Sequence, residues 1–115
     1  MISSKYTIQG RNIEEKIAGF VRSFYASAYE SSYKGGFIRI FEDNNFFNKI
    51  NYIVIIRVDT TEVENGIIKI EVISGGAEEK VLLPSIFGGE KRRVKGFAKE
   101  FQEFCNEHFI NYTAD

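Results

Sequence analysis

Cys105 and His108 are the only cysteine and the only histidine in the chain, and three positions apart on a helix they could approach one metal together. A soft-ligand site needs further thiolates or imidazoles to close its coordination sphere, and the sequence has none to offer. Cys105 also falls in an apolar stripe, which denies it the electropositive, accessible setting that a nucleophilic thiolate requires. Asp43, Asp59 and Glu64 fall in turns or at strand ends, where carboxylates serve local hydrogen bonding. No two carboxylates stand out as an acid and base couple. The sequence therefore predicts no catalytic residue, no metal and no cofactor.

One run resists so plain a reading. Gly88-Gly89-Glu90-Lys91-Arg92-Arg93, followed by Lys95 and Lys99, gathers cations at the start of a helix, where they oppose the macrodipole and local stability does not explain them. Two glycines leave backbone N–H groups free, so Gly88, Gly89, Lys91, Arg92, Arg93 and Lys95 form a candidate site for a phosphate or carboxylate. The run lacks the Gly-Lys-Ser/Thr ending of a P-loop. Glu90 competes for the same donors, and the simpler alternative is a solvated helix face.

The elements that must position these residues follow from composition and periodicity. A chain of 115 residues with 43% hydrophobic and 27% charged content suits a single domain, 1–115, with a core of its own. A formal net charge of -1 gives no global field to draw in nucleic acid. One cysteine excludes an intramolecular disulfide and fits a reducing, cytoplasmic setting; no apolar run is long enough to span a membrane.

The order of elements reads strand, helix, strand, strand, strand, short strand, helix. Lys5 to Gln9 alternates as an opening edge strand. Asn12 then caps a helix with Ile13, Ile17, Phe20, Val21, Phe24 and Ala28 on its apolar stripe. Tyr25, Tyr29 and Tyr33 recur every fourth residue on the shoulder of that helix, which Gly35-Gly36 ends. Phe37 to Glu42 alternates as a strand, with Asp43-Asn44-Asn45 as turn residues. Ile50 to Asp59 and Ile67 to Ser74 flank Asn65-Gly66 and read as one hairpin around a type I′ turn. Regular pairing from that turn would bury Asp59 beside Val72, so a bulge is expected near Thr60-Thr61, returning Val58 and Ile56 to the inner face beside Val72 and Ile70. Glu62 and Lys69 are an expected ion pair. Gly75-Gly76 breaks the strand, Val81-Leu82-Leu83 is a short strand, and Val94, Phe97, Ala98, Phe101, Phe104 and Cys105, extended by His108 and Phe109, form the stripe of the second helix. Asn111 to Asp115 is expected to fray.

These elements make an α+β fold: an antiparallel sheet of four to five strands with two helices on one face (order β-α-β-β-β-β-α). With Ile38 and Ile40 turned inward, Phe37, Phe41, Ile53 and Ile55 lie on the opposite face, together with Ile67, Ile73, Arg39, Arg57, Lys69 and Glu71. An apolar patch of that size marks an interface. The expected function is a non-enzymatic interaction module that forms a homodimer through this face. The alternative is a small-ligand binder, taking an apolar ligand in a helix–sheet cavity, with the sheet curled around the second helix, or an anion at that helix's N-terminus.

The layout from Ser74 to Phe104, a strand ending in Gly75-Gly76, a short apolar strand, then Phe87-Gly88-Gly89-Glu90 opening an amphipathic helix, resembles a family of short uncharacterised bacterial α+β domains, a domain of unknown function. The match spans about a quarter of the chain. It implies a small cytosolic α+β domain and assigns no role to any residue.

Overall fold

The computed structural model describes residues 1–24, 28–45, 50–77 and 89–115. Among these residues six strands form one antiparallel sheet: β1 (Ile2–Gln9), β2 (Tyr29–Tyr33), β3 (Gly36–Asn45), β4 (Ile50–Asp59), β5 (Ile67–Ala77) and β6 (Asn111–Ala114), in the spatial order β2-β3-β4-β5-β1-β6. Helix α1 (Glu14–Ser23) follows β1 and helix α2 (Gly89–Glu107) precedes β6. The fold is α+β, with one strand more than the upper count expected from sequence.

Cross-strand partners share a face of a sheet, so the register sorts the side chains. Tyr6, Ile8, Val54, Ile56, Val58, Ile68, Ile70 and Val72 lie on the inner face and form one buried cluster with Ile17 and Val21 of α1 and Val94, Phe97, Phe101 and Cys105 of α2. Both helices thus cover the same face. Aromatic rings join them: Phe20 stacks on Phe104 at 4.7 Å between centroids, and Tyr6 from the sheet meets Phe101 at 5.0 Å. Much of the phenylalanine content is this helix–helix–sheet seam.

The first helix is shorter than its apolar spacing suggests. Asn12 takes a left-handed backbone (φ 59) and makes no cap; Ile13 stands at the N-cap without a side-chain hydrogen bond. The helix stops at Ser23, and Tyr29 and Tyr33 belong to strand β2. A repeat of four residues fits one face of a strand as well as it fits a helix, because four is a multiple of the strand period of two. Tyr25 lies outside the described residues. Gly35 is therefore not a helix cap but part of the Lys34-Gly35 hairpin between β2 and β3, where Tyr33 pairs with Gly36. At Gly36 a Cβ would collide with the Val58 carbonyl oxygen, so the β3–β4 approach demands glycine there.

The central hairpin puts Val58 and Ile56 on the inner face as expected, with Val58 opposite Ile70 and Ile56 opposite Val72, but by a different turn. β4 stops at Asp59, whose Oδ1 accepts from the Thr61 N–H at 2.9 Å and the Thr61 hydroxyl at 2.7 Å. A 3₁₀ turn, Val63–Asn65, follows, and Gly66 at φ 75 closes it. β4–β5 pairing ends at Asp59 and Lys69; the irregularity expected between Asp59 and Glu62 is present as an Asx turn rather than a bulge, and the 3₁₀ turn stands in place of the two-residue type I′ turn. Lys69 Nζ lies 3.3 Å from Glu62 Oε2, the expected ion pair.

Four further readings are corrected. β1 is an interior strand between β5 and β6, and starts at Ile2. The chain after Ile110 does not fray but pairs with β1, and the Asp115 N–H adds a bond to the Lys5 carbonyl at 2.8 Å. β3 runs on to Asn45 opposite Ile50, and β5 runs through Gly75 and Gly76 to Ala77. The short strand expected at Val81-Leu82-Leu83 lies outside the described residues.

Candidate functional site

β3 sits in the opposite phase to the one expected. Phe37 pairs with Val58 and Phe41 with Val54, both inner-face residues, so Phe37 and Phe41 are buried in the core and are not outer-face residues. The physical reason is Arg39, which shares their phase and is only 6% exposed. Its Nη1 donates to the carbonyls of Val21 at 3.2 Å and Arg22 at 2.7 Å, at the C-terminal end of α1, where the Val21 carbonyl also accepts from the Phe24 N–H at 3.3 Å. Its Nε lies 3.3 Å from Glu30 Oε1, close enough for ion pairing though without hydrogen-bond alignment. Glu30 also accepts from Arg22 Nε at 3.0 and 3.2 Å, and the Arg22 guanidinium rests 4.6 Å from the Phe37 ring centre. A buried cation with partners on three sides lets the two phenylalanines turn inward with it.

The outer face then carries a different apolar set. Tyr29 pairs with Ile40, Ile40 with Ile55, and Ile55 with Ile73, a row in register across β2, β3, β4 and β5. Ile38 and Ile53 flank it, and Ile53 is 43% exposed. Ile53 and Ile55 are where the sequence places them; Ile38 and Ile40 take the positions expected of Phe37 and Phe41. Beside the row runs a charged one: Ser31, Ile38, Arg57, Glu71 and Lys5 lie in register. Glu71 bridges Arg57 at 3.0 Å and Lys5 at 3.7 Å. A shallow depression of about 360 Å³ on this side is lined by Lys5, Arg57 and Lys69 against Asp59, Glu71 and Asp115, whose side-chain charges cancel. The Thr61 bonds, with Arg57 and Lys69 nearby, hold the Asp59 carboxyl below its ordinary pKa.

A second concavity, about 550 Å³, opens between α1 and the β3 end of the sheet. Ile17, Ala18, Phe37, Val58 and Ile68 form its floor, and Glu14, Glu15, Arg22 and Tyr33 its rim. The alternative expected from sequence is a small cavity enclosed by a sheet curled around the second helix; this concavity is open and lies beside the first helix.

The basic run is only partly within view. Gly88 lies outside the described residues, Gly89 begins α2, and the side chains of Lys91 and Arg92 are likewise outside. The Arg93 guanidinium sits 3.9 Å from the centre of the Tyr52 ring, a cation–π contact with a buried residue, while Lys95 is exposed. Two positions on a helix differ by about 200° in direction, so Arg93 and Lys95 do not converge.

Cys105 is buried in the core and desolvation pushes its thiol up to about 11. His108 is exposed, with its ring against Phe104, so the two side chains face different surroundings. Among the described residues no three His, Cys, Asp or Glu side chains group as metal ligands, and no helix is long and apolar enough to cross a membrane. Phe109, expected in the core stripe, is 93% exposed. It occupies a left-handed residue (φ 56) just past α2, where the Ile110 N–H returns to the Cys105 carbonyl at 2.8 Å.

Sequence reasoning missed Arg39, Glu30 and Tyr29 as a set. The available signal was the alternation of Phe37, Arg39 and Phe41 itself, which pointed inward only if a partner for the guanidinium was granted. No family model, no curated protein and no solved structure matches the chain, so the reading of these surfaces rests on their geometry.

Proposed function

We propose that the protein is a non-enzymatic interaction module of the cytoplasm whose outer sheet face packs against the same face of a second copy. The carrying observation is the row Tyr29, Ile40, Ile55 and Ile73, apolar and in register across four strands, on the side opposite both described helices. A contiguous apolar band of this extent is a mark of an interface. Its occupant follows from the charges beside it. A two-fold contact sets a patch against itself, and a patch with net charge would repel its own copy. Here the three cations and three anions lining the depression cancel, so each can meet an opposite charge across the axis. The non-enzymatic reading is supported by the desolvated Cys105 thiol, poorly suited to nucleophilic work at neutral pH.

Solution mass over a micromolar concentration series tests this, with wild type compared to Ile55→Lys, a charge placed in the centre of the row. The wild type exceeds the 13.2 kDa of one chain and the variant halves the wild-type mass. A wild-type mass of one chain throughout, or an Ile55→Lys protein with the wild-type mass, refutes the reading.

The cleft beneath α1 favours a second reading, a binder of small amphipathic ligands, because its volume and apolar floor match those of ligand pockets, roughly 300–1,000 Å³. Titration with an environment-sensitive apolar dye separates the two readings. Binding that Ala18→Trp abolishes by filling the cleft, in a protein of unchanged mass, favours the ligand site; equal dye response in both proteins removes it.

A further inference from the structure

We propose that the open edge of β2 pairs with the β2 edge of a second copy about a two-fold axis at Ser31, joining two protomers in one continuous sheet. β2 ends the sheet order, and among the described residues its only strand partner is β3. An unpaired edge offers a row of N–H and C=O groups to another chain, and protein edges are usually blunted by lysine, proline or a bulge. Tyr29–Tyr33 contains neither lysine nor proline, and it pairs with β3 residue for residue without a bulge.

Its sequence is nearly its own reverse: Tyr-Glu-Ser-Ser-Tyr. Antiparallel pairing centred on Ser31 sets Tyr29 against the partner's Tyr33, Glu30 against the partner's Ser32, and Ser31 against the partner's Ser31. Tyr29 and Tyr33 are 67% and 48% exposed and would form two aromatic cross-strand pairs, a favourable combination. The one charge in the strand causes no repulsion in this register. Glu30 faces serine across the junction and is already held by Arg22 and Arg39 on the inner side. β6, the other edge, reads Asn-Tyr-Thr-Ala and has no such symmetry. The edge contact is made through the β2 main chain and the outer-face contact through the side chains of the row, with Tyr29 common to both. It would lay the apolar rows of two protomers on one continuous face, and both contacts together assemble more than two copies.

Cysteine cross-linking of the full chain tests the axis directly. Residues opposed at a two-fold axis in paired strands have Cα atoms near 5 Å apart, within disulfide range, whereas residues set off from the axis by one position lie beyond it. Under mild oxidation Ser31→Cys forms a covalent dimer at least ten times faster than Ser32→Cys, and Cys105 is buried away from both. Equal rates overturn the proposal. Running the pair in an Ile55→Lys background separates the two contacts, since edge cross-linking survives loss of the face contact. Ser31→Lys and Ser31→Glu give a second reading independent of disulfide chemistry. Each alone has half the wild-type mass, and an equimolar mixture regains it; a mixture no heavier than its components overturns the proposal.

Discussion

Arg39 Nη1 donates to the main-chain carbonyl of Arg22 at 2.7 Å, so a cation rooted in the sheet closes the last turn of α1. Arg39→Met keeps the apolar stem, removes the head, and takes away a donor from the Val21 and Arg22 carbonyls and an opposite charge from Glu30. A loss of about 2–4 kcal/mol is expected, near the lower end for breaking a buried ion pair because Glu30 keeps Arg22. Glu30→Gln costs less, about 1 kcal/mol, since its amide still accepts from Arg22. Urea unfolding midpoints at constant slope measure both. An Arg39→Met protein as stable as wild type would contradict the role given to this contact.

Phe109 holds a bulky side chain in a conformation that favours glycine, and at 93% exposure its ring gains little from packing. Phe109→Gly is therefore expected to stabilise the protein by about 1 kcal/mol. A fall in thermal midpoint would show instead that the ring contributes to the fold.

How much of this was legible in the chain turns on phase. On β4 and β5 the charged residues Arg57, Asp59, Lys69 and Glu71 share one phase and mark the wet side, so the inner face follows from sequence although Ile53, Ile55 and Ile73 are branched in that same outer phase. β3 carries apolar residues in both phases, Phe37 and Phe41 in one and Ile38 and Ile40 in the other. Only the tertiary partners of Arg39 choose between them. The tyrosine repeat at positions 29 and 33 is compatible with both helix and strand, and a two-residue hairpin at Lys34-Gly35 decided it. β6 has one large apolar residue, Tyr112, and gains its strand state from pairing with β1, which no local pattern announces. The outer face was therefore foreseen through Ile53 and Ile55 and misread at its β3 half.

The Asp59 and Thr61 contacts predict a small acid sensitivity. The folded pKa of Asp59 lies below its ordinary 3.8 because the Thr61 hydroxyl and N–H bond the carboxylate. Its stabilisation is complete above the unfolded pKa and lost as pH falls through the lower folded value. Thr61→Val removes the hydroxyl and is expected to cost under about 1 kcal/mol at pH 7, given solvent screening, and to narrow the difference between pH 7 and pH 2. Equal losses at both pH values would contradict the linkage.

Cys105 should be inert while the chain is folded. Burial and a thiol pKa of about 11 leave little thiolate at pH 8, so alkylation by iodoacetamide follows global opening. Labelling is expected to slow in step with stability across Phe109→Gly, wild type and Arg39→Met, fastest in the last. Rapid labelling of the native protein would contradict the burial.

Isotope-filtered NMR tests the outer-face contact most directly. Protein deuterated throughout except at carbon-13-labelled isoleucine methyl groups is mixed with unlabelled, fully protonated protein, so that only contacts between copies give filtered cross-peaks. Cross-peaks at Ile40, Ile55 and Ile73, with none at Ile8, Ile56, Ile68 or Ile70 on the buried inner face, are the expected result. Absence of any filtered cross-peak at Ile55 and Ile73 in a concentrated sample would contradict self-association through the outer sheet face.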